Sequence, residues 1–376
     1  MKKILYIVST LKRTGPTSQL LNLIKNLDRS QFEPHVVTLS PEPFDSRWSE
    51  YEVLNVQLHS LRLSRYGGIF LAQSRLKRIV EQLQPDLIHS QGIRSDILSA
   101  NQRKQVPRIT TIRNFPQHDY LMTYGQLLSK LMLWKHAQAM HKLDVCFGVS
   151  KAVEANLATE FGLKNTSAIL NGVDTEIYRS VDLVNKNLLR ESIGLDVDSE
   201  IWISSGHLSE RKDPLLLINS WKNTFGSDSS KILIFIGDGP QKNDCEKATV
   251  GCENIRIIGR VSNVSDYLKA SDYFVSASKA EGLPNAVLEA MACGLPVLLS
   301  DIGPHREIWQ MDPNIGQLFK LGSKRSLISS FVDMAKYDRD SHSQSALTLV
   351  EKSFSALVMS KNYQHSYSEL IEGFSR

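Results

Sequence analysis

The chain reads as an α/β protein built from two successive β/α arrays, and three observations carry that expectation. Its 376 residues exceed what one ordinary core accommodates and suit two domains. Short apolar runs alternate with longer amphipathic ones throughout, the pattern of parallel strands joined by helices. Midway, ILNGVDTEIYRS (residues 169–180) ends a strand in the turn-forming Asn-Gly and continues as a polar stretch, which marks a joint.

In the first array KILYIVS, PHVVTLS, LIHSQ, RITTIRN and CFGVS are the expected strands, and Leu and Ile at helical spacing predict helices over 18–27 and 69–83. In the second, IWISSG, KILIFIGDG, NIRIIGRV, YFVSAS and PVLLSD are the strands, with helices at 214–225, 264–270 and 285–293. No short-period repeat and no low-complexity segment interrupts them. In open α/β sheets ligands bind beyond the carboxyl ends of strands. Two such domains facing each other would place a site in the cleft between them.

Composition narrows the class. With 41% hydrophobic and 22% charged residues, the expectation is a soluble globular protein. No apolar run approaches the roughly 18 residues of a spanning helix, and MKKILYIVST meets Lys12 and Arg13 with no cleavage site, so the N-terminus reads as a first strand in a cytoplasmic protein. Cysteines 146, 245, 252 and 293 form no CxxC pair and no zinc-like cluster, which favours buried reduced thiols over disulfides or a structural metal. Residues 1–180 hold 23 Lys+Arg against 15 Asp+Glu, whereas residues 181–376 hold 21 against 25. The basic residues are scattered and carry no nucleic-acid motif, so no nucleic-acid partner is expected. An anionic membrane surface or a phosphorylated acceptor suits the basic half better.

Candidate chemistry gathers in the second array. EGLPNAVLE begins in the loop after YFVSAS, Pro284 sits where a helix starts, and Gly294 ends that helix before the next strand. Glu281 is then a loop acid at a strand's carboxyl end, and Glu289 lies one turn inside the helix. Backbone N–H groups near Asn285 and Ala286, with the helix dipole, would suit a phosphate. Carboxylates take paired hydrogen bonds from vicinal hydroxyls, so Glu281 would meet a sugar and Glu289 a ribose; alternatively, Glu289 only caps charge near the helix start and Glu281 is an exposed loop acid. SSGHLSERKDP places Arg211 and Lys212 after another strand, where they would neutralise a diphosphate leaving group or simply be solvated. GDGP is only part of a dinucleotide fingerprint, and neither GxxxxGK[ST] nor GxSxG occurs, which counts against P-loop, NAD and nucleophile-elbow enzymes. Histidines 89, 118, 136 and 141 lack metal or triad spacing and read as structural or surface groups. GQLLSKLMLWKHAQAMHKL (125–143) shows Leu, Met and Trp on one side and Lys and His on another, as a packed amphipathic helix or one touching lipid headgroups.

Taken in order, EGLPNAVLE, the EAMACGLPVLLSDIGPHREI run, GHLSERKDP, IGDGP, NGVD and PDLIHSQG resemble the family 4 retaining glycosyltransferases over nearly the whole chain. EGLPNAVLE is similar to that family's E-x7-E motif, and GHLSERKDP to its G-[R]-L-x3-K loop. The resemblance implies the GT-B fold, two Rossmann-like β/α/β domains facing across a cleft: an acceptor-binding domain over 1–178 and a nucleotide-sugar-binding domain over 179–355. FSALVMSKNYQHSYSELIEGF resembles the family's final helix, implying that 356–376 packs back on the N-terminal domain.

The same resemblance implies roles. Glu281 contacts the donor sugar, Glu289 the ribose, and Lys212, helped by Arg211, the donor phosphates. Gly206 and His207 belong to the loop beside them, Gly282, Leu283, Pro284, Asn285 and Ala286 to the donor-binding turn, Arg260 and Val261 to the edge meeting the base, and Gly15 to a loop closing over the diphosphate. No metal or other cofactor is expected, with the nucleoside diphosphate sugar as co-substrate and a saccharide or glycolipid as acceptor. Two positions depart from the family pattern: His207 replaces the usual arginine, and Arg113 or Asn114 stands where many members place a histidine, on the acceptor or phosphate side. The implied reaction moves a sugar from its diphosphate to an acceptor hydroxyl with retention, in bacterial surface polysaccharide assembly. Sugar-nucleotide epimerases of the same scaffold, and a non-catalytic sugar-nucleotide-binding protein, are the rival expectations.

Overall fold

The computed structural model describes residues 1–374 other than 103, 105 and 337, with backbone alone at 65, 66, 69 and 122–124. It divides into two compact units, residues 1–172 with the C-terminal helix Ala356–Phe374, and residues 173–355. The division falls six residues before the expected boundary at 178/179. The reason is local: the Val173 N–H donates to the Phe354 carbonyl at 2.8 Å and Val173 pairs with Ser355, so NGVD is cut after its glycine.

The first unit holds a seven-stranded parallel sheet in the order β3-β2-β1-β4-β5-β6-β7, comprising β1 Lys2–Val8, β2 Phe32–Thr38, β3 Gln57–Ser60, β4 Leu87–Ser90, β5 Arg108–Ile112, β6 Val145–Gly148 and β7 Thr166–Ala168. The order reverses between β1 and β4, which are paired from Ile4/Leu87 to Ile7/Ser90. Continuous burial from Ile4 to Val8 explains the apolar run of β1, since a parallel sheet is covered on both faces; β4 is buried throughout as well, its His89 and Ser90 included. One face packs Leu20, Leu23 and Ile24 of the helix Gly15–Lys25 against Met359, Tyr363 and Tyr367 of the C-terminal helix. Leu61, Ala72 and Leu76 pack with Leu5, Ile7, Val37 and Ile88 in a separate cluster.

The second unit holds a six-stranded parallel sheet, order β10-β9-β8-β11-β12-β13, comprising β8 Glu200–Ser205, β9 Lys231–Ile236, β10 Ile255–Gly259, β11 Tyr273–Ser276, β12 Val297–Ser300 and β13 Gly316–Phe319. Here the order reverses between β8 and β11. Its core is aromatic. Trp202 stacks on Tyr273 with centroids 4.3 Å apart, and Trp221 and Phe331 meet Trp202 edge-on, geometries that add to the burial of such large side chains. Among the described residues, no helix is long and apolar enough to cross a membrane.

The expected helix over 125–143 differs from the observed one. A helix runs Pro116–Met140, but Gly125 sits at φ 72°, ψ 179°, and breaks it. Beyond the break, Ser129, His136, Ala139 and Met140 are buried while Leu127, Leu128, Leu131 and Trp134 are exposed, so the buried face is not the Leu/Trp side. All four cysteines are buried and free.

Candidate active site

In open α/β sheets ligands bind outside the carboxyl ends of the strands where the strand order reverses, so the residues just after β8 and β11, and after β1 and β4, are the ones placed to hold a ligand. In the second unit those segments are the loops that carry the sequence motifs.

The loop after β8 turns sharply. Gly206 has φ 143°, and its N–H donates to the Ile236 carbonyl at 2.8 Å. A Cβ on Gly237, the first glycine of GDGP, would lie 1.8 Å from the Gly206 carbonyl oxygen. The partial dinucleotide fingerprint thus has a packing role: it lets the ends of β8 and β9 touch backbone to backbone. A Cβ on Gly206 would meet the Lys212 side chain at 3.3 Å, so this glycine also makes room for the lysine.

Lys212 and Arg211 converge on Glu281. Glu281 is 7% exposed, Lys212 Nζ lies 2.6 Å from Oε1, and Arg211 Nη1 donates to Oε2 at 2.8 Å. The same guanidinium donates to the Ala280 carbonyl at 2.7 Å, and the Lys279 N–H to the Arg211 carbonyl, which stitches the two loops together. Burial alone would raise the Glu281 carboxyl, but Lys212 and Arg211 outweigh it and hold it at about 2. The site therefore offers one ionised carboxylate between two cations.

A further residue closes this cluster from the helix Gly303–Met311, which follows β12. His305 is fully buried, its Nδ1 lies 2.8 Å from the Ser300 carbonyl oxygen, and its Nε2 has no hydrogen-bond partner. Burial pulls its imidazole down to about 4 although Glu281 pulls the other way. Nothing in a lone His after Gly-Pro signals in the sequence that it ends up beside Glu281.

The rest of the expected donor set is placed as follows. Gly282, Leu283 and Pro284 are buried in the turn, and Pro284 is the N-cap of the helix Asn285–Ala292, which has no side-chain cap. Asn285, Ala286 and Glu289 are half-buried on that helix, with Glu289 one turn beyond its start. His207 is exposed, and Arg260 (exposed) and Val261 (half-buried) follow β10 at the sheet's edge, two strands from β8.

In the first unit the switch point is a cavity of about 400 Å³ lined by Val8 and Ser9 after β1, Gln91 and Gly92 after β4, and Arg113 and Asn114 after β5. Thr14 and Pro16, flanking the exposed Gly15 at the start of the first helix, also line it. Arg113 donates to the side-chain oxygens of Asn171 at 3.2 Å and Gln91 at 3.0 Å, while its Nε has no partner. Burial pulls this guanidinium below its usual value. Asn114 donates to Asp119 at 3.3 Å. The structure thus brings Arg113 and Asn114 to one cavity, together with Tyr120 and His136, which the sequence did not single out for chemistry. His89 is fully buried between Tyr367 and Thr111, and His118 and His141 are exposed.

Comparison with known proteins gives this geometry a family. The model for "Glycosyltransferase Family 4" matches residues 14–177, and that for "Glycosyl transferases group 1" matches residues 185–331. The chain is 26% identical over 379 residues to the O-antigen biosynthesis glycosyltransferase WclY of Escherichia coli, covering 98% of this chain and 99% of that one. It is 28% identical over 256 residues to the uncharacterized glycosyltransferase MJ1059 of Methanocaldococcus jannaschii, spanning 64% of this chain and 62% of that protein's length. A segment of 175 residues, 44% of each chain, is 33% identical to the Escherichia coli UDP-Gal:alpha-D-GlcNAc-diphosphoundecaprenol alpha-1,3-galactosyltransferase. Among solved structures, Anabaena Alr3699/HepE in complex with UDP-glucose superposes with TM-score 0.82 at 16% identity, covering 98% of this chain and all of that one, a likeness of fold. Two parallel Rossmann-like units of the GT-B fold, matched by two glycosyltransferase models over most of the sequence, make this chain a transferase enzyme that belongs to glycosyltransferase family 4.

Proposed function

We propose that the protein transfers a sugar, with retention of anomeric configuration, from a nucleoside diphosphate sugar to a lipid-linked saccharide in the assembly of a bacterial surface polysaccharide. The observation that carries the reading is the Glu281 carboxylate held by Lys212 and Arg211 at the β8/β11 switch point. As the sugar–phosphate bond breaks, negative charge grows on the departing diphosphate, and two cations already placed in a partly buried site stabilise it. Glu281 accepts hydrogen bonds from the donor sugar, Glu289 from the ribose, and the uncapped helix start at Asn285 and Ala286 faces a phosphate. These cations take the place of a metal ion. A UDP-sugar is the favoured donor, because HepE is a protein of this fold in complex with UDP-glucose and the galactosyltransferase relative is named for UDP-Gal.

The names of the relatives point to O-antigen, capsule or exopolysaccharide assembly. Arg113, Asn114 and the first unit's cavity are the acceptor side of the reading. Exposed Leu127, Leu128, Leu131 and Trp134, interleaved with Lys130 and Lys135, support contact with the inner face of an anionic membrane, where such an acceptor would reside.

The test is a panel of UDP-, GDP- and dTDP-sugars offered with a diphospholipid-linked N-acetylhexosamine, with products read by mass, in buffer with and without EDTA. One UDP-sugar should be transferred equally in both buffers; an epimer of the donor in place of a disaccharide would overturn the transferase reading, and loss of transfer in EDTA the metal-free one. Flotation with anionic vesicles at low salt should carry the protein upward, and a protein left wholly unbound would remove the membrane contact.

A further inference from the structure

The second unit leaves one buried imidazole nitrogen bare beside its charged cluster. His305 Nδ1 lies 2.8 Å from the Ser300 carbonyl oxygen, which can only accept, so Nδ1 carries the hydrogen of the neutral ring. Nε2 therefore presents a lone pair, and it is buried with no hydrogen-bond partner. The ring is also held in place. The Ser300 hydroxyl donates to the Ser278 carbonyl at 2.6 Å, which ties the end of β12, just before His305, to the loop that carries Glu281.

The charges that reach this ring come from three loops: Glu281 after β11, Lys212 after β8 and Asp301 after β12. Asp301 is already paired with Arg306 at 2.7 Å, and Arg211 joins the group through Glu281. In the empty site Lys212, Arg211 and Glu281 together carry one net positive charge, and burial keeps His305 neutral, at about 4. A nucleoside diphosphate sugar brings two negative charges. Bound at Lys212 and Arg211, it turns the group from one charge positive to one charge negative, where burial makes an unbalanced charge costly. Drawn towards the phosphates, the two cations also give up part of their hold on Glu281. A carboxylate so released favours the protonated form of an imidazole beside it, and the bare Nε2 is the atom that can take the proton.

We propose that His305 is a positioning residue that takes up a proton when the donor binds. The proton comes from solvent and forms the Nε2–H bond, and the resulting imidazolium replaces Lys212 and Arg211 as the counter-charge of Glu281. Both cations are then free to hold the diphosphate, while Glu281 stays ionised and still accepts from the donor sugar. The proposal rests on the reading of Lys212 and Arg211 as diphosphate ligands. His305 acts on the substrate only through Glu281, and it returns its proton when the nucleotide leaves.

The experiment is calorimetric titration of the whole protein with UDP-galactose, UDP-N-acetylglucosamine, GDP-mannose and dTDP-glucose at pH 6, in three buffers of different ionisation enthalpy, so that the change of heat with buffer counts protons. These donors are diphosphate diesters with no titrating group of their own near neutrality. For a donor that binds, uptake should be about one proton, and affinity should fall by up to about tenfold per unit as pH rises from 5 to 7. His305→Gln, whose amide donates to Glu281 without a proton from solvent, should bind with no uptake and with an affinity that no longer follows pH. Glu281→Gln, which removes the charge that calls for the proton, should also abolish the uptake. His207→Gln should leave it in place, since His207 is the exposed imidazole of the loop after β8. If the variants melt too low to titrate, a long-range 15N spectrum of the wild type decides: the ring with its hydrogen on Nδ1 should gain one on Nε2 at donor saturation. Binding without uptake, uptake that survives in His305→Gln, or an Nε2 that stays bare in the complex would overturn the proposal and leave the donor site standing. A protein that binds none of the four donors would overturn the reading of Lys212 and Arg211, and this proposal with it.

Discussion

The two units place their candidate chemistry at the same topological point and fill it in opposite ways. At the β8/β11 reversal, Lys212 and Arg211 are both paired with Glu281 at 2.6 and 2.8 Å, so one carboxylate offsets part of their charge before any ligand arrives. At the β1/β4 reversal, Arg113 rests on neutral side-chain oxygens, and the buried acid, Asp96, is turned toward Ser90, Thr110 and His136. The charge balance of the units follows the same division: by sequence, residues 1–172 and 356–376 hold 24 Lys+Arg against 15 Asp+Glu, and residues 173–355 hold 20 against 25. A site paired within itself keeps its geometry when empty and exchanges partners on binding, whereas a cation resting on neutral oxygens awaits an anion from outside.

The largest effect expected from this contrast comes from removing the acid that balances the second unit. Glu281→Ala leaves Lys212 and Arg211 unmatched, which makes that switch point resemble the first. Transfer should fall by about 10²- to 10³-fold, the usual cost of one preorganised electrostatic contact to the transition state. UDP affinity, by contrast, should hold or tighten, because two cations no longer share their charge with a carboxylate. Steady-state kinetics and UDP titration on one preparation separate these outcomes. Undiminished transfer would remove Glu281 from the site, and loss of UDP binding in step with transfer would mean that the acid holds the loops in place instead of balancing charge.

The contrast also explains what was legible in the sequence. The helices 214–225 and 264–270 emerge with the bounds expected, because each is a contiguous run between apolar strands, whereas Glu281, Lys212 and Arg211 were assigned to one donor site only through the family resemblance. Two strands were missed. β3 (QLHS) is the edge strand of its sheet and partly exposed, and β13 (GQLF) is another short edge strand, so neither has an apolar run. The contact of Tyr120 with His136 in the first unit was illegible for a geometric reason. Tyr120 and His136 are 16 residues apart, roughly 24 Å along a straight helix at 1.5 Å per residue. They meet at 2.7 Å only because the chain reverses at Gly125, whose φ of 72° favours glycine but whose presence in a helical run does not announce a reversal. The helix expected over 125–143 begins at Gly125 and leaves Tyr120 out, so the sequence set His136 on the Lys/His side with no partner in view.

Acid should act on both units, with a window set by their buried imidazoles. His305 in the second unit is held at about 4 and His89 in the first at about 3, in both cases first by burial, whereas an unfolded histidine titrates near 6.5. A depressed imidazole binds its proton in the unfolded chain first, so the stability it confers is complete above pH 6.5 and is lost as pH falls towards 4 for His305 and towards 3 for His89. Glu281, also depressed, adds a later loss between about 4.5 and about 2. Tm should therefore drop by several degrees between pH 7 and pH 5, before the Glu281 carboxylate begins to titrate. His305→Asn should flatten that first part for the second unit alone, read by fluorescence of the buried Trp202 and Trp221. An unchanged slope in that variant would show that His305 is reached by water and does not anchor the Glu281 loop.

The smallest effect concerns how the first unit is closed. Its C-terminal helix is pinned by a buried row in which His89 meets the Tyr367 hydroxyl at 2.8 Å and Thr111 at 2.8 Å, and Thr111 meets the Tyr363 hydroxyl at 2.7 Å. Thr111 sits on β5, two residues before Arg113, so this row supports the strand that delivers the cation to the cavity. Tyr363→Phe removes one hydroxyl at constant ring volume, and Thr111 keeps its contact with His89. The cost in urea unfolding should be about 1 kcal/mol, that of one hydrogen bond whose partner is still satisfied. A loss of 3 kcal/mol or more would mean that the whole row, and not one bond, depends on Tyr363. Such a result would also couple the C-terminal helix to Arg113, since the same variant would then weaken binding of the diphospholipid-linked acceptor, which a single lost hydrogen bond two residues away should leave within about twofold.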